Sequence, residues 1–169
     1  EAEISGENIS NIKGKHLIPA FYLNELILSF LKIADPYPDL FKLYTATLHD
    51  LSELKSIEPS LRRFEIFLLS EIGYAINFET ETLSQKPIEA GLNYVFTAGQ
   101  GFVSKRDQNS GSFLIKGLWI KAINEGDFSD PETLRCAKKI VRLSIQYHLD
   151  GKELMSKKVF KSIERKSGE

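Results

Sequence analysis

The segment that follows Pro131 constrains the fold more than any other part of the sequence. Between Leu134 and His148 the apolar side chains recur every three or four residues, which is the period of an α-helix. Proline fits the first turn of a helix, because its missing N–H would have no partner there. The sequence therefore predicts one long helix that starts after Ser129 or Asp130 and reaches about Leu149.

Apolar residues lie on two sides of this predicted helix. At 100° per residue, one side carries Leu134, Ala137, Val141, Ile145 and His148, and the nearly opposite side carries Cys136, Ile140, Leu143 and Tyr147. A helix that is apolar on two opposed sides is expected to pack between two neighbours rather than on a single surface.

A cationic stripe lies between these two sides and consists of Arg135, Lys138, Lys139 and Arg142. Cations three and four residues apart repel each other on a helix, and the nearby acid on the same helix is Glu132. Two interpretations remain open. The cations either pair with acids of another helix or face water, or they bind a ligand that is both acidic and hydrophobic. Nucleic acid and an acidic peptide with an aromatic anchor are both ligands of that kind.

The rest of the sequence predicts shorter helices and one β-hairpin. Apolar residues at helical spacing predict helices over about 16–34, 39–51, 56–72, 118–123 and 156–163. Two short β-prone pieces, Tyr94–Phe96 and Gly101–Val103, flank a turn that contains two glycines. The predicted fold class is mostly α, a helical bundle domain with a small β-hairpin insertion.

The helix predicted over 56–72 places an arginine among apolar residues. Arg62 lies one turn before Ile66 and two turns before Leu69, on an otherwise apolar face. An arginine there either extends its guanidinium to water or pairs with a carboxylate in a partly desolvated place. Arg63 and Glu65 are expected to be ordinary surface charges.

The sequence offers little for catalysis or metal binding. The three histidines, His16, His49 and His148, are scattered, and none stands at ligand spacing from another. The single cysteine, Cys136, excludes an internal disulfide and a thiolate zinc site, and its place on an apolar helix face favours an inert thiol. We therefore expect a protein that is not an enzyme and that uses no cofactor and no metal.

Positive charge is concentrated near the end of the chain. The net charge is −1 overall, but residues 130–169 carry 10 Lys and Arg against 6 Asp and Glu. A secondary basic patch for single-stranded DNA would consist of Lys152, Lys157 and Lys158. Base stacking also needs aromatic partners, and the nearby candidates, Tyr147 and Phe160, occupy positions that favour the core.

Several short segments stand in an order and spacing that resemble a known family. They are residues 22–26 (YLNEL), 40–44 (LFKLY), 58–65 (EPSLRRFE), 133–139 (TLRCAKK) and 151–158 (GKELMSKK). Taken together, they make the chain similar to the RecO family of bacterial DNA repair proteins over about 16–163.

The resemblance implies a recombination mediator. Members of the RecO family bind single-stranded DNA, anneal complementary strands, engage the acidic C-terminal tail of the single-stranded DNA-binding protein (SSB), and help to load RecA together with RecR. An OB-fold precedes their helical domain. We expect residues 1–15 to be a linker or the remnant of that OB-fold and residues 16–169 to be the RecO-like helical domain. Many members carry a four-cysteine zinc module where residues 74–115 lie; these residues contain no cysteine, so we expect a hairpin and loop insertion in its place.

The resemblance also implies a ligand for the cationic stripe, the SSB tail. Carboxylates of the tail would be received by Arg62, Arg135, Lys138, Lys139 and Arg142. Its aromatic end would enter an apolar pocket that is lined by Ile66, Leu69 or Ile140. Such a protein is expected to be a monomer in the cytoplasm, associated with the nucleoid and without membrane contact. The alternative is a generic helical adaptor that binds an acidic, hydrophobic peptide unrelated to DNA repair.

Overall fold

The computed structural model describes residues 12–32, 35–53, 56–105 and 113–156. The helices in these ranges are α1 (Leu17–Phe30), α2 (Pro38–Ser52), α3 (Ile57–Glu71), α4 (Gly117–Glu125) and α5 (Pro131–His148), and the strands are β1 (Asn93–Thr97), β2 (Gly101–Ser104) and β3 (Leu114–Lys116). The predicted fold class, mostly α with a small β-hairpin, is confirmed. No helix among the described residues is long and apolar enough to cross a membrane. Residues 1–11 of the predicted linker and residues 157–163 of the predicted last helix lie outside the described ranges.

The chain forms two compact units, which we describe separately. The first comprises the described residues up to Phe64 together with those from Gly151, and the second comprises Glu65–Asp150. The first half of α3 therefore belongs to the first unit and its second half to the second unit.

The first unit buries apolar side chains from three helices. They are Leu23 and Leu26 of α1, Leu40, Leu48 and Leu51 of α2, and Leu61 and Phe64 of α3. The carboxylate of Glu25 in α1 accepts hydrogen bonds from the backbone N–H groups of Met155 and Ser156 and from the Ser156 hydroxyl. This carboxylate therefore connects α1 to the chain that follows Gly151.

The second unit contains the predicted hairpin and a third strand that the sequence did not reveal. Strand β1 pairs antiparallel with β2 on one side and with β3 on the other. The turn after β1 includes Gly99, whose φ of +76° is a left-handed conformation that favours glycine. β3 escaped prediction because three residues with a single buried side chain, Ile115, are too short to show an alternating pattern.

Helix α5 begins at the predicted proline and packs through one broad face. The Asp130 carboxylate accepts a hydrogen bond from the Glu132 backbone N–H at 2.8 Å, which caps the helix. The buried residues are Thr133, Cys136, Ala137, Ile140, Val141, Ser144 and Ile145. The prediction of two opposed buried sides is wrong, because Leu143 and Tyr147 are exposed and the polar Thr133 and Ser144 complete the buried face in their place.

Candidate functional site

The exposed face of α5 carries the cationic stripe. Arg135, Lys138, Lys139 and Arg142 are all exposed, and each lies on the helix side that faces away from the core of the second unit. Because the helix buries one face instead of two, the stripe is not enclosed by buried apolar residues on both sides. It is open to a ligand from solvent.

An aromatic ring lies directly beneath two of these cations. The ammonium nitrogen of Lys139 is 3.6 Å from the centroid of the Phe113 ring, and the guanidinium carbon of Arg135 is 5.4 Å from the same centroid. Phe113 is half-buried and packs against the core of the second unit. We call Phe113, Arg135 and Lys139 the cation–aromatic surface. It combines positive charge with apolar area, which suits the acidic and hydrophobic ligand that the sequence analysis considered. The sequence did not predict that Phe113 would supply the apolar area.

One of the cations is already paired within the chain. The Arg135 guanidinium donates two hydrogen bonds to the Glu132 carboxylate, at 2.9 and 2.6 Å, and both side chains are exposed. The hydrogen bonds that the Glu132 carboxylate accepts raise the pKa of Arg135, and its negative charge acts in the same direction. Lys139 and Arg142 have no carboxylate within ion-pair distance in the part of the chain that the structure describes. These two cations are therefore the ones most available to an acidic ligand.

A second aromatic–cation contact adjoins the start of α5. The Trp119 indole N–H donates to the Asp130 carboxylate at 3.1 Å, and the Lys116 ammonium lies 5.2 Å from the centroid of the indole ring. Asp130 thus caps α5 with one carboxylate oxygen and holds Trp119 with the other. The tryptophan is half-buried against the core of the second unit.

Arg62 lies in the first unit and is buried. Only 4% of the residue is exposed, and one guanidinium nitrogen is 3.8 Å from the carboxylate of Glu58, one turn earlier in α3. Of the two arrangements that the sequence left open, the partly desolvated ion pair is the one found. Arg62 therefore presents little surface to a ligand. The expectation that Glu65 is a surface charge is wrong, because only 2% of it is exposed.

The residues expected to line an apolar pocket are mostly inside the core. Leu69 and Ile140 are fully buried, and Ile66 is half-buried and packs against the core of the second unit. The apolar side chains with surface beside the cationic stripe are instead Phe113 and Leu143. In the secondary basic patch, Lys152 is exposed, whereas Lys157 and Lys158 lie outside the described residues.

An exposed aromatic cluster lies at the other end of α5. The Tyr74 and His148 rings are stacked, with centroids 3.7 Å apart and planes 9° from parallel, and Tyr147 meets His148 edge-on at 5.0 Å. We call these three residues the aromatic cluster. The sequence favoured the core for Tyr147, but 59% of it is exposed, since it lies in the last turn of α5. Burial lowers the pKa of His148 and so favours the neutral form of its ring.

Sequence reasoning missed both Phe113 and Tyr74 because neither follows a periodic apolar pattern. Tyr74 comes just after Gly73 at the end of α3, and Phe113 comes just before β3. Each acquires its neighbours on α5 only through the tertiary fold.

The described residues contain no group of three or more histidine, cysteine, aspartate and glutamate side chains that could hold a metal ion. Cys136 is fully buried, and burial raises the pKa of its thiol to about 11. A thiol with this pKa is a poor nucleophile at neutral pH, because the reactive form is the thiolate.

Comparisons with known proteins connect the chain to a family. The family model described as "Recombination protein O C terminal" matches residues 14–158. The chain is 38% identical over 149 residues to the DNA repair protein RecO of Cellvibrio japonicus, covering 88% of this chain and 63% of that protein. It is 36% identical over 149 residues to RecO of Photobacterium profundum, covering 88% of this chain and 62% of that protein.

A third relative gives the same result. RecO of Actinobacillus pleuropneumoniae is 35% identical over 148 residues, which cover 87% of this chain and 61% of that protein. The chain therefore spans less than two thirds of the length of these relatives. The family model, in contrast, matches most of the chain. The chain belongs to the RecO C-terminal family.

Proposed function

We propose that this chain is the helical region of a RecO-type DNA repair protein and that it acts by binding rather than by catalysis. Family membership and the names of the relatives support a role in DNA repair. In this proposal residues 16–169 are the RecO-like helical domain, a hairpin and loop insertion at residues 74–115 replaces a zinc module, and residues 1–15 are a linker or the remnant of an OB-fold. The protein works as a monomer in the cytoplasm at the nucleoid.

The proposed ligand of the cation–aromatic surface is the acidic C-terminal tail of SSB. The observation that carries this proposal is the position of the Lys139 ammonium over the Phe113 ring, next to Arg135 and one turn before Leu143. An acidic chain with an aromatic end needs cations and apolar area side by side. Lys139 and Arg142 supply positive charge without a carboxylate partner among the described residues, and Phe113 and Leu143 supply the apolar area.

The expected affinity is modest. A hydrogen bond to a charged group contributes about 1.5–3 kcal/mol, and an exposed ion pair contributes less, about 0.2–1 kcal/mol. Burying one phenyl ring adds about 1.5–3 kcal/mol. Because ordering the peptide and the lysine and arginine side chains opposes these gains, we expect a micromolar rather than a nanomolar dissociation constant.

The same proposal extends to single-stranded DNA and to the other proteins of the pathway. Single-stranded DNA would be held by cations of this region, and the exposed aromatic cluster favours it as a second ligand because bases stack on exposed rings. Partnership with RecR, strand annealing and RecA loading are proposed for the longer protein, on the strength of the family alone.

The test is a titration of the chain with a labelled SSB-tail peptide and two altered peptides. One has its acidic residues replaced by their amides, and the other has its aromatic end replaced by alanine. We expect binding of the first peptide, weaker at high salt because exposed charges are screened, and a clear loss of affinity for both altered peptides. Equal affinity for all three would refute the proposal, and tight capture of unrelated acidic peptides would favour a generic adaptor.

A further inference from the structure

The aromatic cluster is not part of the proposed peptide site. Tyr74 and Tyr147 stay 44% and 59% exposed although both contact the His148 ring. Exposed aromatic residues that pack on one another, rather than on a core, are already ordered before any ligand arrives. A flat ligand that stacks on them therefore loses less entropy in ordering its site than it would on a free side chain.

The β1–β2 turn supports the position of Tyr147. Gly99 lies so near this ring that an added Cβ would be 2.7 Å from two ring carbons and 2.8 Å from the hydroxyl oxygen. The ring is thus set against the backbone of the turn on one side and meets His148 at its edge. Any side chain at position 99 would force Tyr147 to move.

A continuous ridge joins the aromatic cluster to the cation–aromatic surface. Arg135, Lys139, Leu143 and Tyr147 recur every four residues along α5, and all four are exposed. Residues four apart on a helix are neighbours. The ridge extends about 18 Å, at 1.5 Å per residue. It presents cations above the half-buried Phe113 ring near one end and the exposed Tyr147 ring at the other.

We propose that the aromatic cluster is a stacking site for an unpaired base of single-stranded DNA whose backbone follows this ridge. An exposed aromatic ring binds a base by stacking on its π-face, and lysine and arginine side chains bind the phosphates. The proposed SSB-tail peptide would need only the cation–aromatic surface at one end of the ridge, whereas single-stranded DNA would use both ends. The inference rests on the proposed binding of DNA and assigns residues to it, with Tyr147 as the main stacking ring and Tyr74 and His148 as its support.

The test uses the full chain, a fluorescent oligothymidylate and an abasic oligomer of the same length at low salt. Tyr147→Leu should weaken binding of oligothymidylate by about fivefold or more, with little effect on the abasic oligomer. Tyr147→Phe, which keeps the ring, should bind oligothymidylate like the original chain. Phe41→Leu, at an exposed ring of α2 in the first unit, is the matched control and should change neither affinity.

A second measurement needs no variant and does not depend on the folding of Tyr147→Leu. Oligothymidylate that carries 5-iodouracil should form a photochemical cross-link to Tyr147 or Tyr74, located by mass spectrometry. Cross-links confined to other residues would overturn the inference, as would equal oligothymidylate affinity of the Leu and Phe variants.

The possible failures are distinguishable. If the chain binds oligothymidylate but Tyr147→Leu binds it equally well, the stacking site is wrong and the proposed DNA binding stands. If the chain binds no oligothymidylate at low salt, the stacking site and the proposed DNA binding are both wrong. The proposal that the chain binds the SSB tail is still tested separately by the peptide titration. If Tyr147→Leu loses affinity for the SSB-tail peptide and none for oligothymidylate, the cluster serves the peptide and the inference is overturned.

Discussion

The ammonium nitrogen of Lys139 lies 3.6 Å from the centroid of the Phe113 ring. This contact joins the middle of α5 to the residue just before β3, and it places positive charge over an apolar ring on an exposed face. A cation over a ring stabilises the fold by about 0.5–1 kcal/mol at an exposed site. Its larger consequence is for binding, because a ligand carboxylate and a ligand ring can each find a partner here.

Glu132 is expected to weaken anion binding at this surface. Its carboxylate holds the Arg135 guanidinium through two hydrogen bonds, so an incoming carboxylate must compete with it. Glu132→Gln should therefore strengthen SSB-tail binding by roughly twofold to fivefold, the range of an exposed ion pair. The measurement is a peptide titration at low salt.

Glu125→Gln is the control for that experiment, because it removes the same charge from an exposed position on α4. If both variants strengthen binding equally, the effect comes from net charge, and the specific competition between Glu132 and the ligand is refuted.

The Glu25 carboxylate should make the stability of the chain depend on pH. Burial opposes its ionisation, but the hydrogen bonds from Ser156 and Met155 outweigh burial and lower the pKa of Glu25 below its usual value. The ionised form is thus favoured in the folded state, and its contribution is present above the usual pKa of about 4.3 and is lost as the pH falls through the lower, folded-state pKa. Glu25→Gln should lose less unfolding free energy than the original chain between pH 7 and pH 3, measured by urea unfolding. An identical pH dependence of the two proteins would contradict this.

Cys136 should resist thiol reagents in the folded protein. Its side chain is fully buried, and burial raises the pKa of the thiol to about 11, so very little thiolate exists at pH 8. We expect no modification by a thiol reagent at pH 8 until denaturant is added, and rapid modification afterwards. Fast reaction of the native chain would mean that the buried face of α5 opens readily.

Gly117 is expected to be required at the junction of β3 and α4. An added Cβ would overlap the carbonyl oxygen of Glu89 and lie 3.1 Å from the Tyr94 ring. Gly117→Ala should therefore lower the free energy of unfolding by about 1–3 kcal/mol, as overpacking does. Gly91→Ala is the control, since an added Cβ there would have no atom within 4 Å apart from those of Gly91 and its two chain neighbours. Equal stability of the two variants in urea would show that the junction adjusts without cost.

The parts of the fold that the sequence predicted are those with local signals. The hairpin follows from two β-prone pieces around a glycine turn, and the start of α5 follows from Asp130 and Pro131, which cap and open the helix. Both depend on neighbours within a few residues. The extent of α5 was predicted for the same reason, because its apolar period persists to His148.

The candidate site was only half predictable. The cationic stripe could be read from the spacing of its members, but the burial of Arg62 and Glu65 and the position of Phe113 depend on contacts between distant segments. Angular positions on a helix also cannot say how wide its buried face is. On α5 the buried face includes Thr133 and Ser144 and leaves out Tyr147, because the packing partners lie on one side only.

The most direct test of the account compares Lys139→Ala with Lys121→Ala in titrations with the SSB-tail peptide. Lys121 is an exposed lysine of α4 that belongs to neither the cationic stripe nor the cation–aromatic surface, so both variants lose the same charge. We predict that Lys139→Ala weakens binding by about threefold to fivefold, the upper part of the range for an exposed ion pair, and that Lys121→Ala changes it less than twofold. Equal affinity of the Lys139→Ala variant and the original chain, for a peptide that binds measurably, would contradict the account.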